Sequence, residues 1–166
     1  MYTVISGTNR TGSATIKIAE HYLRLLEEKG EKAFLVSLVN LEVSNRNKAI
    51  KDLEQTILIP STKFIFVSPE YNGSIPGVLK SLIDHSDIEQ VWWGKKALLT
   101  GVSTGRAGNL RGMEHLTGIL HYLKVVVHPN KLPISVVNKL LNVEGKLVEE
   151  GTLRAIRQQL DEFINF

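Results

Sequence analysis

The chain has 166 residues, of which 43% are hydrophobic and 22% charged, with a formal net charge of +3. That length suits one domain over residues 1–166 that buries about 70% of its unfolded surface in a common core, and the balance of apolar to charged residues excludes a disordered chain. The absence of cysteine excludes disulfides and thiolate chemistry, no apolar run is long enough for a membrane span, and the scattered basic residues form no aromatic-interleaved stripe of the kind nucleic acid needs.

In chain order, Thr3-Val4-Ile5-Ser6 is the first expected strand. No charged and apolar leader precedes it, so a cytoplasmic location is expected. The strand runs into Gly7-Thr8-Asn9-Arg10-Thr11-Gly12-Ser13, after which Ile16, Ile18, Ala19, Tyr22, Leu25 and Leu26 recur at helical spacing up to Gly30. A helix that opens from a hydroxyl- and glycine-rich loop presents unpaired N–H groups and partial positive charge. With the Thr8, Ser13 and Thr15 hydroxyls and the Arg10 guanidinium beside it, it can hold a phosphate. Equally, Thr8 or Ser13 can serve only to cap the helix. The spacing Gly7-x4-Gly12 is that of a nucleotide-triphosphate loop, but Ser13-Ala14 stands where Lys and Ser/Thr are required. No G-x-G-x-x-G follows the strand either, which argues against a dinucleotide fingerprint.

Lys32–Leu38 reads as the second strand and Leu41–Asn47 as a loop. Ala49, Ile50, Leu53, Ile57 and Leu58 give a helix ending at Pro60, and Lys63–Val67 is the third strand, uncharged and β-branched after its first residue. At Pro69 the chain is expected to leave the sheet for the polar loop Pro69-Glu70-Tyr71-Asn72-Gly73-Ser74, where Asn-Gly is a turn pair, before a helix over 75–86. In the connector 87–93, Trp92 and Trp93 are expected at the sheet's edge or in a subunit interface. Ala97–Ser103 is the fourth strand, followed by a third small-residue loop, Thr104-Gly105-Arg106-Ala107-Gly108, and another helix. Lys124–His128 is the fifth strand and Pro129–Pro133 a turn. A short helix is expected over 136–141, a turn or linker over 142–150, and a closing helix over 152–166.

Five alternations of strand and helix call for a parallel sheet covered by helices on both faces, a three-layer α/β sandwich. Ligands in such sheets bind beyond the carboxyl ends of the strands, at the switch point that lies between the first and third strands for the order 2-1-3-4-5. The richest loops follow those two strands, and the third follows their neighbour. The five histidines do not stand at metal-ligand spacings, so no metal is expected.

At these loops the chain resembles the NADPH-dependent FMN reductase family, whose first loop reads G-S-x-R-x-x-S-x-N. Gly7 to Thr15 match it at Arg10 and Ser13, with Thr8 standing for Ser and Thr15 for Asn. The second motif, P-E-Y-N-G-S-x-P-G, is intact from Pro69 to Gly77. The third, S-T-G-x-x-G-G, is present from Ser103 with Asn109 in place of the last glycine. The resemblance implies a flavodoxin-like fold and FMN as cofactor. Thr8, Arg10, Ser13 and Thr15 would hold the phosphate; Pro69, Glu70, Tyr71, Asn72 and Gly73 would lie along the flavin ring, and Ser103 and Gly105 would close the pocket. It further implies NADPH or NADH as co-substrate, a small-molecule electron acceptor, and a homodimer or homotetramer. No side chain is expected to act as acid, base or nucleophile, and Glu70 is read as structural. Arg106 either meets the nicotinamide cofactor's phosphate or is a solvated loop residue. The competing reading is a single-electron carrier that docks on a protein partner, which would be expected to present an acidic face where this chain is basic.

Overall fold

Largely apolar segments pair into one parallel sheet, described here from a computed structural model that covers residues 1–166. The strands are β1 (Tyr2–Ser6), β2 (Ala33–Ser37), β3 (Lys63–Pro69), β4 (Lys96–Val102), β5 (Val126–Val127) and β6 (Leu132–Ile134). Their order is β2-β1-β3-β4-β5, with β6 also on β4, so the expected 2-1-3-4-5 arrangement is realised. The helices are α1 (Ala14–Glu28), α2 (Lys48–Leu53), α3 (Gly77–Asp84), α4 (Leu110–Tyr122) and α5 (Glu150–Asn165). None is long and apolar enough to cross a membrane.

Because successive side chains of a strand point to opposite faces, β3 feeds two cores at once. Phe64 and Phe66 enter a cluster with residues of α2, α3 and α4, while Ile65 and Val67 enter another with residues of α1 and α5. Three layers result, as the alternating pattern requires. A π-helical turn, Ile88–Trp92, rolls Trp92 inward. Its ring lies 5.1 Å from that of Phe64, and its Nε1 donates to Ser86 Oγ at 2.8 Å. Trp92 is therefore a core residue and not the edge or interface residue expected, whereas Trp93 stays exposed with the Lys124 ammonium 3.4 Å from its ring centre.

Two boundaries differ from expectation in ways that matter for the site. β3 runs two residues past Val67, pairing Ser68 with Gly101 and Pro69 with Val102, and the Glu70 N–H continues the ladder to the Val102 carbonyl at 3.0 Å. Pro69 is tolerated as the strand's last residue because it need only accept. The fifth position of the sheet is split. β5 pairs with Lys96 and Ala97 and β6 with Thr100 to Val102, so the stretch expected to be only a turn returns to the sheet at Leu132. In the gap, the Gln159 side chain of α5 substitutes for strand backbone. Its Nε2 donates to the carbonyls of Leu99 at 3.0 Å and Asn130 at 2.8 Å. Its Oε1 meets the Tyr22 hydroxyl, which also bonds Thr100 Oγ1 at 2.7 Å. Burial holds the Tyr22 phenol far above its usual range, so it stays a donor. The segment expected as a short helix over 136–141 is one 3-10 turn, Val137–Lys139, and the following stretch is a closed turn with Asn142 N–H bonded to Lys146 O at 2.9 Å.

Candidate functional site

The three loops meet beyond the carboxyl ends of β1, β3 and β4. In the first, Gly7 runs so close to β3 and α3 that a Cβ would sit 3.0 Å from Leu79 Cδ2 and 3.2 Å from the Val67 carbonyl oxygen. Thr8 is buried; its hydroxyl accepts the Arg10 N–H at 3.3 Å and shares a 2.9 Å hydrogen bond with the Tyr71 hydroxyl. That bond joins the first loop to the second. Ser13 caps α1, accepting the Ile16 N–H at 3.3 Å, which leaves the Ala14 and Thr15 N–H groups without intrahelical acceptors. The exposed Arg10 guanidinium lies 5.4 Å from the centre of the Tyr71 ring.

The second loop is a two-residue hairpin. Tyr71 and Ser74 exchange backbone hydrogen bonds of 2.9 and 3.1 Å, with Asn72 at φ 51° and Gly73 at φ 78°. Positive φ at both central positions is what the Asn-Gly pair supplies most cheaply. Ser74 Oγ is tied to His115 Nδ1 of α4 at 2.9 Å.

In the third loop the Ser103 hydroxyl donates to the Gly105 carbonyl and accepts the Gly108 N–H, both at 2.9 Å. The chain after β6 braces it from outside: Ser135 Oγ donates to the Arg106 carbonyl at 2.7 Å and the Val136 N–H to the Gly105 carbonyl at 2.9 Å. Val136 sits at φ 45°, a conformation that β-branched residues avoid, so backbone strain is stored beside the site and held there by these bonds.

Two adjoining clefts follow the loops. One of about 340 Å³ is lined by Thr8, Arg10, Ser13, Thr15, Pro69, Glu70, Tyr71 and Ser103. The other, of about 320 Å³, is lined by Glu70, Asn72, Gly73, Ser103 and Gly105. Every residue that the motifs assign to the cofactor thus lines one hollow or both. Val137 and Asn138 line the first as well; they carry no motif, and only the return of the chain to the sheet at β6 brings them there. The first cleft concentrates hydroxyls, a guanidinium and free helix N–H groups at one end, a donor set that fits a phosphate. The second runs between the Asn72-Gly73 turn and the third loop, with Glu70 and Arg106 among its lining residues. A larger hollow of about 790 Å³ near Arg46, Trp93 and Tyr122 lies among the α3–β4 connection and the end of α4, away from the carboxyl ends of the strands.

Comparison with known proteins agrees with this geometry. The chain is 39% identical over 101 residues to an NAD(P)H-dependent FMN reductase of Pseudomonas aeruginosa, covering 58% of this chain and 54% of the relative. It is 31% identical over 103 residues to a 2-hydroxy-1,4-benzoquinone reductase of a Burkholderia species, covering 60% and 56%. The matched region thus spans little more than half the length of these curated relatives. Among solved structures, the flavoenzyme NAD(P)H:(acceptor) oxidoreductase FerB of Paracoccus denitrificans superposes with a TM-score of 0.81 at 23% identity, covering 99% of this chain and 94% of that one. This likeness establishes the flavodoxin-like fold. Since residues 2–139, which carry all three strand-end loops, match the model of the NADPH-dependent FMN reductases, the chain belongs to that family.

Proposed function

We propose that the protein is an FMN-dependent NAD(P)H oxidoreductase, built on one domain, that passes electrons from NADH or NADPH to a small acceptor such as a flavin, quinone, azo compound or metal oxyanion. The observation that carries this reading is the meeting of an anion-binding helix start with the cleft along the Asn72-Gly73 turn, the two loops being joined by the 2.9 Å Thr8–Tyr71 hydrogen bond. Thr8, Arg10, Ser13 and Thr15 hold the phosphate, Pro69 to Gly73 lie along the ring, and Ser103 with Gly105 forms the far wall. FMN held there would supply the two-electron redox chemistry. The protein's residues bind and orient; none is assigned as acid or base. One open slot is shared by donor and acceptor in turn, which favours ping-pong turnover.

An apolar groove between α3 and α4, about 570 Å³ and lined by Ile83, Ile119 and Leu123, ends at Tyr122, which is 85% exposed. It supports a homo-oligomer in which a second copy covers this face. To test the main reading, the purified protein is titrated with FMN and then mixed anaerobically with NADPH. Binding followed by rapid two-electron bleaching is expected. No flavin binding sinks the proposal, and binding without bleaching favours the electron carrier instead.

A further inference from the structure

We infer that Asn109 is a positioning residue for the flavin site, holding the carboxyl end of β3 so that the Glu70–Gly73 segment keeps its place along the second cleft. The inference rests on the proposed flavin binding. Asn109 precedes α4 and is fully buried. Its Nδ2 donates to the carbonyls of Ser68 and Pro69, both at 3.0 Å, and lies 3.4 Å from Ser68 Oγ. The third loop is thereby fastened to the last two residues of β3, immediately before the hairpin. The opposite amide orientation would set Oδ1 against two carbonyl oxygens, so the donor must face them.

Three local costs converge on this side chain. Asn109 lies at φ 63°, in the left-handed region, where glycine would sit free of strain. Its Oδ1 is buried without a hydrogen-bond partner, a state that native proteins avoid unless something compensates. And α4 carries Gly112 in its first turn, where a Cβ would collide with the Asn109 amide, although glycine weakens a helix interior. Glycine at position 109 would remove the first two and would clear the space that a side chain at position 112 needs. What it would forfeit is the pair of hydrogen bonds to Ser68 and Pro69. Local rules broken together at one residue mark a functional constraint, and here the only thing gained is the fixed end of β3.

The test uses Asn109→Gly, which keeps the backbone conformation and loses the amide, and Asn109→Asp, which keeps the shape and puts a carboxylate against the two carbonyls. Hydrogen exchange of the flavin-free protein reads residues 70–74, thermal denaturation reads the fold, and fluorescence titration reads FMN and riboflavin. In both variants exchange over 70–74 is expected to accelerate. FMN and riboflavin are expected to weaken alike, by about tenfold, the equivalent of one or two neutral hydrogen bonds. Equal loss is expected because Asn72 and Gly73, at the tip of the hairpin, line only the second cleft, which takes the ring in this reading. Wild-type affinity for both flavins in the variants overturns the role, as does a loss confined to FMN or unfolding of both variants. A wild-type protein that binds neither flavin refutes the functional reading itself, which separates the two failures.

Discussion

Arg10→Ala gives the sharpest test of which cleft takes the phosphate. Arg10 is exposed at the cleft's rim, and in the flavin-free protein its guanidinium rests 5.4 Å from the Tyr71 ring centre. A charge-assisted hydrogen bond to a phosphate contributes about 1.5–3 kcal/mol. Against that stands the exposed cation–π contact given up on binding, about 0.5–1 kcal/mol. The net loss on substitution is therefore about 0.5–2.5 kcal/mol, or about 2- to 70-fold in Kd. Riboflavin lacks the phosphate, so its affinity should be nearly unchanged. Titrations of both flavins at low and high salt check this by fluorescence: wild-type FMN binding should weaken with salt, because an exposed pair is screened over about 8 Å at physiological ionic strength, and the variant should lose part of that dependence. Equal weakening of FMN and riboflavin, or an unaltered salt dependence, refutes the assignment of the phosphate to Arg10.

Gln159→Leu leaves the Leu99 and Asn130 carbonyls without their side-chain donor. It should cost about 2–4 kcal/mol, seen as a lower denaturation midpoint with the slope retained; a loss under about 0.5 kcal/mol would show that water replaces the amide. Glu149 caps α5, and its hydrogen bonds to the Thr152 hydroxyl and to the Thr152 and Gly151 N–H groups hold its carboxyl below the usual range. A depressed folded pKa gives stability that is complete above the unfolded value of about 4.3 and lost as pH falls through the folded one. The gap in melting temperature between wild type and Glu149→Ala should therefore be full at neutral pH and close below about pH 4; a gap independent of pH contradicts the cap. Tyr122→Glu places a charge on the exposed apolar groove and should lower the mass measured by light scattering after size exclusion, whereas an unchanged mass removes this face from the assembly.

Local pattern made the sheet and the loops readable. Apolar runs such as Phe64–Val67 are covered on both faces, and a change from period two to helical spacing marks each crossover. The three loops carry their chemistry in consecutive residues, so their motifs could be recognised without knowing the fold. Trp92 shows where this stops: both tryptophans carry the same local signal, and only the π-helical turn decides which one enters the core. The short fifth strand was also only half legible, because Pro129 interrupts it and the donor that fills the break, Gln159, lies 29 residues beyond Asn130.

Asn109 divides the two kinds of information most clearly. By itself the sequence determined that Asn stands where the family's loop ends in glycine, and that the strand-end loops form an anion- and ring-binding set. Only the tertiary structure decided what the substitution does, since the carbonyls it binds belong to Ser68 and Pro69, some 40 residues earlier. Strand and helix formation depend on neighbours in sequence; a buried amide's partners depend on which segments the crossovers bring together.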